Sequence, residues 1–460
     1  MAHMHPVDML PGLGMAFGSG KSCQAPLRAL WPHQQAALDF AEGKDAVMLA
    51  VCMGGGKSRI ALELLQRRDV KRALLLCPRS VVDVWPKQAS EYSNFYTLAL
   101  REGTIAKRTK SAELAIAHTN LVIINYDACW REPFKSWALK QPWDAVVADE
   151  CHRLKSPGGV ASRFAATLAR RIPFRLGLTG TPMYHSPLDI YGQYRFLDPA
   201  IFGTSYRRFQ YEYAITKPMQ GFEMVVGYKN QEQLNRKFYS IAFRVDSDVL
   251  NLPDPTHNVR TCELGAPASK TYKSLESDFF AEVDSGIITV SNALVKALRL
   301  QQIASGYCKT EDGVETQLDT SKEVLLRDIL EDLDEPVVVF CRFRHDLDTV
   351  HRVAGPGRSL ELSGRKNDLA EWQAGAAPIL AVQTQAGGVG IDLTRARVAI
   401  YYSLGLSLGD HLQSQARLQR PGQTRTVAYY YLLAEHTIDG KVFRALQAKQ
   451  DVIEVLLRRD

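Results

Sequence analysis

Short apolar runs rich in Val, Ile and Leu recur along this chain, separated by longer stretches of mixed polarity. In the first half they are residues 46–51 (AVMLAV), 73–77 (ALLLC), 121–125 (LVIIN), 144–148 (DAVVA) and 175–179 (RLGLT). In the second half they are 337–341 (VVVFC), 379–383 (ILAVQ), 397–402 (RVAIYY) and 427–433 (VAYYYLL). Most lack the alternation of a half-solvated strand, so they read as strands covered on both faces, the habit of parallel sheets. Strands alternating with helical stretches predict an α/β fold, and the break between the two series predicts two parallel-sheet lobes in tandem with short helical insertions. The interval 200–330 reads as mainly helical, with a hinge at Leu252, Pro253, Asp254 and Pro255. Residues 1–24, rich in Gly and Met, read as a flexible tail. The expected lobes are then 25–250, and 251–460 with its helical linker.

A length of 460 residues leaves room for about two to four domains. Hydrophobic content of 46% and charged content of 23% belong to an ordinary folded protein and exclude a disordered or fibrous one. A formal charge of +6 is compatible with a phosphate-backbone partner but does not single one out. The eight cysteines form no Cys-x-x-Cys pair, and Cys52, Cys77 and Cys341 fall in or beside apolar runs, which supports neither zinc nor a disulfide framework. No stretch approaches the roughly 18 apolar residues of a membrane helix, and no secretory leader is visible. A cytoplasmic protein without a membrane partner is expected.

Two segments compete as phosphate loop: GSGKS at 18–22 and MGGGKS at 53–58. Such a loop needs a buried strand before it and a helix after it, so that backbone N–H groups and a helix N-terminus point at the phosphates. Only the second has that context, between the strand 46–51 and a predicted helix Arg59 to Arg68; the first lies in the tail, before Pro26. In the favoured loop Gly54, Gly55 and Gly56 bring the backbone close to the phosphates. Lys57 is placed to neutralise the β/γ oxygens of ATP, and Ser58 to ligand Mg²⁺.

DECH at 149–152 ends an apolar strand and sets adjacent carboxylates at the carboxyl edge of a sheet, where ligands bind. Asp149 suits a water-mediated hold on Mg²⁺, and Glu150 suits activation of the attacking water. An acidic pair alone is common in solvated loops; a strand-borne phosphate loop upstream is what gives this pair weight. LTGTP at 178–182 follows another strand and brings Thr179 and Thr181 to the same edge. In the second half, QTQAGGVGIDL at 383–393 and QSQARLQRPGQ at 413–423 supply arginines, which stabilise charge developing on a transferring phosphoryl group. Arg417 and Arg420 are spaced i, i+3 on a predicted helix ended by Pro421 and Gly422 and are expected to share a face.

With these pieces in order the chain resembles superfamily-two helicase-type motors, and among them Swi/Snf-family translocases, over residues 28–440. The motifs are LWPHQ at 30–34, MGGGKS, CPRSVVDVW at 77–85, NYD at 125–127, DECHRLKS at 149–156, LTGTPMYHSPLDIYGQYRFLDP at 178–199 and the two second-lobe segments. The resemblance implies two RecA-like lobes hydrolysing ATP between them and moving on double-stranded DNA. It implies that Gln34 contacts adenine, that Arg420 and Arg417 act as arginine fingers, and that Gln413 and Gly390 line the nucleotide cleft. For DNA it implies roles for Pro78, Arg79, Ser80, Tyr126, Lys155 and Thr384.

This sequence departs from the family pattern at Cys151, where Ala is usual, at His185 for Asn, and at Ala416 and Gln419 for Asp and His. SLGLSLGD at 403–410 replaces a Trp-Asn-Pro element. No catalytic group is lost. The short insertions and the lack of a histone-reading module resemble the small bacteriophage and bacterial members, which implies the cytoplasm of a bacterial or phage-infected cell. The basic pairs Arg67–Arg68, Lys71–Arg72 and Lys107–Arg108 read as solvated surface, Trp372 as packing, and His411 and His436 as structural. Two alternatives to a duplex translocase stand: a helicase or branch-migration enzyme, and an ATP-switched DNA-binding partner of a nuclease. No nuclease motif is present.

Overall fold

The computed structural model describes residues 29–457 apart from 184, 220–221, 285–289, 310–313 and 386–390. The expected tail, the GSGKS segment and Gly390 lie outside the described residues. The strands in chain order are β1 (Ala46–Val51), β2 (Ala73–Cys77), β3 (Thr97–Leu100), β4 (Leu121–Asn125), β5 (Ala145–Asp149), β6 (Phe174–Thr179), β7 (Ala214–Met219), β8 (Phe222–Tyr228), β9 (Ala242–Val245), β10 (Thr256–Cys262), β11 (Tyr307–Lys309), β12 (Glu315–Gln317), β13 (Val337–Cys341), β14 (Ser359–Leu362), β15 (Ile379–Gln383), β16 (Val398–Tyr401) and β17 (Ala428–Ala434). The chain divides into two compact units. One holds residues up to Pro182, Leu188–Gln210 and Arg236–Asp246; the other holds Met183–Pro187, Tyr211–Asn235 and Ser247 onward.

The first unit is built on a seven-stranded sheet, ordered β3-β4-β2-β5-β6-β1-β9, with every neighbouring pair parallel. All residues of β1, β2 and β4 are buried, because helices cover both faces and leave no solvated side for a polar residue. The second unit is built on a six-stranded sheet, ordered β10-β17-β16-β13-β15-β14, again parallel throughout. Its two faces carry separate cores: Val338, Phe340, Leu380 and Val382 pack on one side with Trp372, and Val337, Val339, Cys341 and Ala381 on the other. That division follows from successive side chains pointing to opposite faces of a strand.

The α/β fold with two parallel sheets is as the pattern predicts, but the interval 200–330 is less helical than expected. It contains the hairpin β7–β8, the pair β11–β12, and the strands β9 and β10, which edge the first and second sheets respectively. The reason is visible in β10: Thr256 to Cys262 is mostly exposed and polar, as edge strands are, so it lacks the apolar signature of a central strand. The Leu252–Pro255 segment carries the chain between these two edges. Trp372 is fully buried. No helix among the described residues is long and apolar enough to cross a membrane.

Candidate nucleotide and nucleic-acid site

In the first unit, β1 runs into the loop 52–56, and α2 (Lys57–Arg67) starts immediately after it, one residue pair earlier than the pattern placed it. Gly54 and Gly56 have φ of 84° and 82°, a region that side-chain-bearing residues rarely adopt. Gly56 is constrained twice over, since a Cβ there would lie 2.3 Å from Gln34 Nε2. Gln34 is buried in α1 (Pro32–Ala41), its Oε1 accepting from Trp31 N at 3.0 Å. His33 Nε2 lies 2.8 Å from the Gly55 carbonyl. The α1 helix therefore braces the loop through two side chains, of which only Gln34 was legible in the sequence. Lys57 Nζ donates to Val51 O at 3.0 Å, and Ser58 occupies the next helical position.

Asp149 ends β5, which lies in the sheet between β2 and β6. Trp85 Nε1 donates to Asp149 Oδ2 at 2.9 Å, and the buried Tyr126 phenol donates to the Asp149 carbonyl at 2.7 Å. Burial and the adjacent Glu150 carboxylate raise the Asp149 carboxyl to about 7, against the opposing pull of the Trp85 hydrogen bond and the Lys57 charge. Glu150 is buried and has left-handed backbone with φ 50°. Its Oε2 lies 3.4 Å from His152 Nδ1 but accepts no hydrogen bond. His152 Nδ1 in turn lies 3.1 Å from Thr179 Oγ1, which accepts from Thr181 N at 3.0 Å. The Thr181 hydroxyl is buried without a partner.

This edge thus holds one lysine, two adjacent carboxylates, an unsatisfied carboxylate oxygen and an unsatisfied hydroxyl. Buried polar atoms are almost always paired, and these two unpaired atoms are available to a polar ligand at this edge. A triphosphate with its Mg²⁺ and attacking water has the chemistry to do so: the lysine suits phosphate oxygens, Ser58 and Asp149 suit the cation, and Glu150 suits a water proton.

Farther along the same carboxyl edge, Pro78 is buried while Arg79 and Ser80 are exposed. Arg108 donates to Asn125 Oδ1 at 3.2 Å and to the Gly103 carbonyl at 3.1 Å. Burial lowers the Arg108 pKa, and the positive charges of Arg79 and Arg131 lower it further, opposed by Glu102. Arg79 and Arg131 thus act electrostatically on Arg108, which belongs to the Lys107–Arg108 pair that the sequence reads as solvated surface; Arg131 lies in no motif. Lys155 is half-buried at the end of the turn that carries His152.

In the second unit the helix Leu408–Gln415 stops at Ala416, so Arg417 and Arg420 do not share a helical face as expected. Turn bonds from Arg417 N to Ser414 O and from Leu418 N to Gln415 O carry the chain on, and Leu418 is driven into the core. Arg417 is buried. Arg420 is partly exposed and donates to the Ile391 carbonyl at 3.1 Å, with Asp392 at 4.0 Å. Gln413 is buried on the preceding helix. Thr384 donates to the Cys341 carbonyl at 3.2 Å and borders a cavity of about 260 Å³ with Arg342, Tyr401, Ser403, Asp410 and His411.

A model of the SNF2-related domain matches residues 33–307, and one of the helicase conserved C-terminal domain matches residues 321–422. The chain is 26% identical to protein p41 of Acyrthosiphon pisum secondary endosymbiont phage 1, over 88% of this chain and 93% of that one. It is 24% identical to the ATP-dependent helicase YqhH of Bacillus subtilis, over 92% of this chain and 78% of that one. It is also 24% identical to the DNA repair and recombination protein RAD54B of Gallus gallus, where it spans 54% of the relative's length. Among solved structures, the Sulfolobus solfataricus SWI2/SNF2 ATPase core in complex with dsDNA aligns over 94% of this chain and 93% of that one, at 20% identity and a TM-score of 0.45.

Proposed function

The chain belongs to the SNF2-related domain family of helicase-like ATPases, and on that premise we propose that it hydrolyses ATP to ADP and phosphate to translocate on double-stranded DNA. The observation that carries this reading is the strand-edge cluster of Lys57, Asp149 and Glu150, with a buried carboxylate oxygen that accepts no hydrogen bond. Lys57 binds the phosphates, Gln34 meets the adenine, and Glu150 orients and deprotonates the water. Ser58 and Asp149 hold Mg²⁺, whose charge offsets that of the phosphates. Arg420 and Arg417 of the second lobe stabilise the transferring phosphoryl group, so hydrolysis requires the lobes to close on one nucleotide, with Gln413 beside it. Arg79, Ser80, Lys155 and Thr384 contact the duplex backbone, with Arg108 and Arg131 reinforcing Arg79. Pro78 and Tyr126, which the resemblance assigns to DNA, are buried, and the Tyr126 phenol on the Asp149 carbonyl supports the catalytic strand.

The deciding experiment compares ATPase rates without nucleic acid and with single-stranded DNA, duplex DNA and RNA. Duplex DNA is expected to stimulate most. Greater stimulation by RNA, or no stimulation by any of the three, would overturn the assignment.

A further inference from the structure

The turn carrying Glu150 and the loop following β6 are joined by a second bridge, built on the buried side chains of Cys151 and Gln193. The helix Ile190–Leu197 packs directly on the turn Cys151–Leu154: a Cβ on Gly192 would lie 2.1 Å from the Leu154 carbonyl. The close approach delivers the neighbouring Gln193 to the interior, where it has no solvent exposure. Its three hydrogen-bonding functions are engaged. Cys151 Sγ donates to Oε1 at 3.2 Å, and Nε2 donates to the Pro182 carbonyl at 2.6 Å and to the Asp189 carbonyl at 3.0 Å. A Cβ on Gly177 of β6 would meet Cys151 Sγ at 3.2 Å, so a glycine there leaves room for the thiol.

We propose that Gln193 is a positioning residue that locks the DECH turn to the LTGTP loop, so that the Glu150 carboxylate and the Thr181 hydroxyl keep a fixed separation during turnover. A buried amide with every donor and acceptor paired tolerates little displacement of any partner, since each movement strands a polar group away from water. Cys151 follows Glu150 directly, and Pro182 follows Thr181 directly. The bridge therefore ties the backbones beside the two orphaned groups, parallel to the outer link through His152 and Thr179. The proposal rests on the reading that Glu150 activates water for ATP hydrolysis.

The test is steady-state ATPase kinetics at saturating duplex DNA for the wild type, Gln193→Leu, Cys151→Ala, Cys151→Ser and the Cys151→Ala/Gln193→Leu double variant. Gln193→Leu should lower kcat about tenfold, the scale of mutations along a coupled network, while KM for ATP stays within about twofold. Cys151→Ala should lower kcat by about threefold and Cys151→Ser should restore most of it, because serine returns a donor to Oε1. The double variant should be no slower than Gln193→Leu, the signature of two residues acting through one contact. An unchanged kcat in Gln193→Leu, a rise in KM alone, or strictly additive losses would overturn the proposal. Thermal melting reports whether Gln193→Leu folds; where it does not, equal rates for Cys151→Ala and Cys151→Ser refute the bridge. An inactive wild type sinks the hydrolase reading itself, whereas an active wild type with an unaffected Gln193→Leu sinks only the coupling.

Discussion

The Glu150 carboxylate and the His152 imidazole face each other at 3.4 Å across the end of β5, while Lys57 approaches from the first turn of α2. On the proposed reading the two ends of this arrangement have different duties, one binding phosphate and the other handling a water proton. Lys57→Ala should therefore abolish ATP binding measured with a fluorescent analogue. Glu150→Gln should bind the analogue nearly as the wild type does and stall hydrolysis. Lys21→Ala, in the other glycine-rich segment, should leave both unchanged. ATP turnover lost in Lys21→Ala but kept in Lys57→Ala would move the phosphate loop to residues 18–22.

How much of this was legible beforehand depends on where each signal lies. The central strands announce themselves because β1, β2, β4 and β13 are buried on both faces, and the phosphate loop and the DECH and LTGTP segments follow because each comes at the end of a strand. Edge strands do not: β3 and β14 are four residues each, and β10 is polar. The bracing side chains were equally hidden. His33 meets Gly55 across 22 residues, Cys151 meets Gln193 across 42, and Trp85 meets Asp149 across 64, distances over which no local pattern speaks. The spacing of Arg417 and Arg420 misled for another reason. An i, i+3 interval looks the same in a helix and in the turn that follows one; burial of Leu418 decides between them.

On the proposed reading Arg420 is the second-lobe group that stabilises charge; it is partly exposed, and its guanidinium Nη1 donates to the Ile391 carbonyl. Arg420→Ala should keep ATP affinity within a modest factor and lower turnover about 10³-fold, the scale of an arginine finger. Saturating duplex DNA should not rescue it. Full ATPase activity in that variant would remove Arg420 from the reaction.

His411 gives a pH dependence of known sign. Its ring lies 4.8 Å from that of Tyr401, beside Tyr431 and Gln415. Burial, and then the charge of His257, lower its pKa to about 4. The folded state therefore prefers the neutral ring, and unfolding releases it to an ordinary value near 6.5. Its stabilising contribution is complete above about pH 6.5 and is lost as pH falls toward 4. His411→Phe keeps an aromatic ring and removes the titration. The wild type should lose about 2 kcal/mol relative to His411→Phe between pH 7 and pH 4, a figure reduced for the partial exposure of the ring. Denaturant unfolding of both proteins across this range checks it; a constant difference would mean that His411 titrates normally in the fold.

The track itself is open to a test that separates movement from strand separation. On the proposed reading Arg79, Arg108 and Arg131 meet phosphates, which carry no sequence information, so duplex affinity should depend little on base sequence. It should fall steeply with salt, because every neutralised phosphate releases counterions, and Arg79→Ala should reduce the logarithmic salt slope by about 1. If ATP-driven closing and opening shifts two grips along one duplex, each cycle advances the protein without melting base pairs. Wild-type protein with ATP should then displace the third strand of a triplex and leave a forked duplex paired. Efficient unwinding of the fork with an intact triplex would make the chain a helicase, and failure on both substrates would leave an ATP-switched binder.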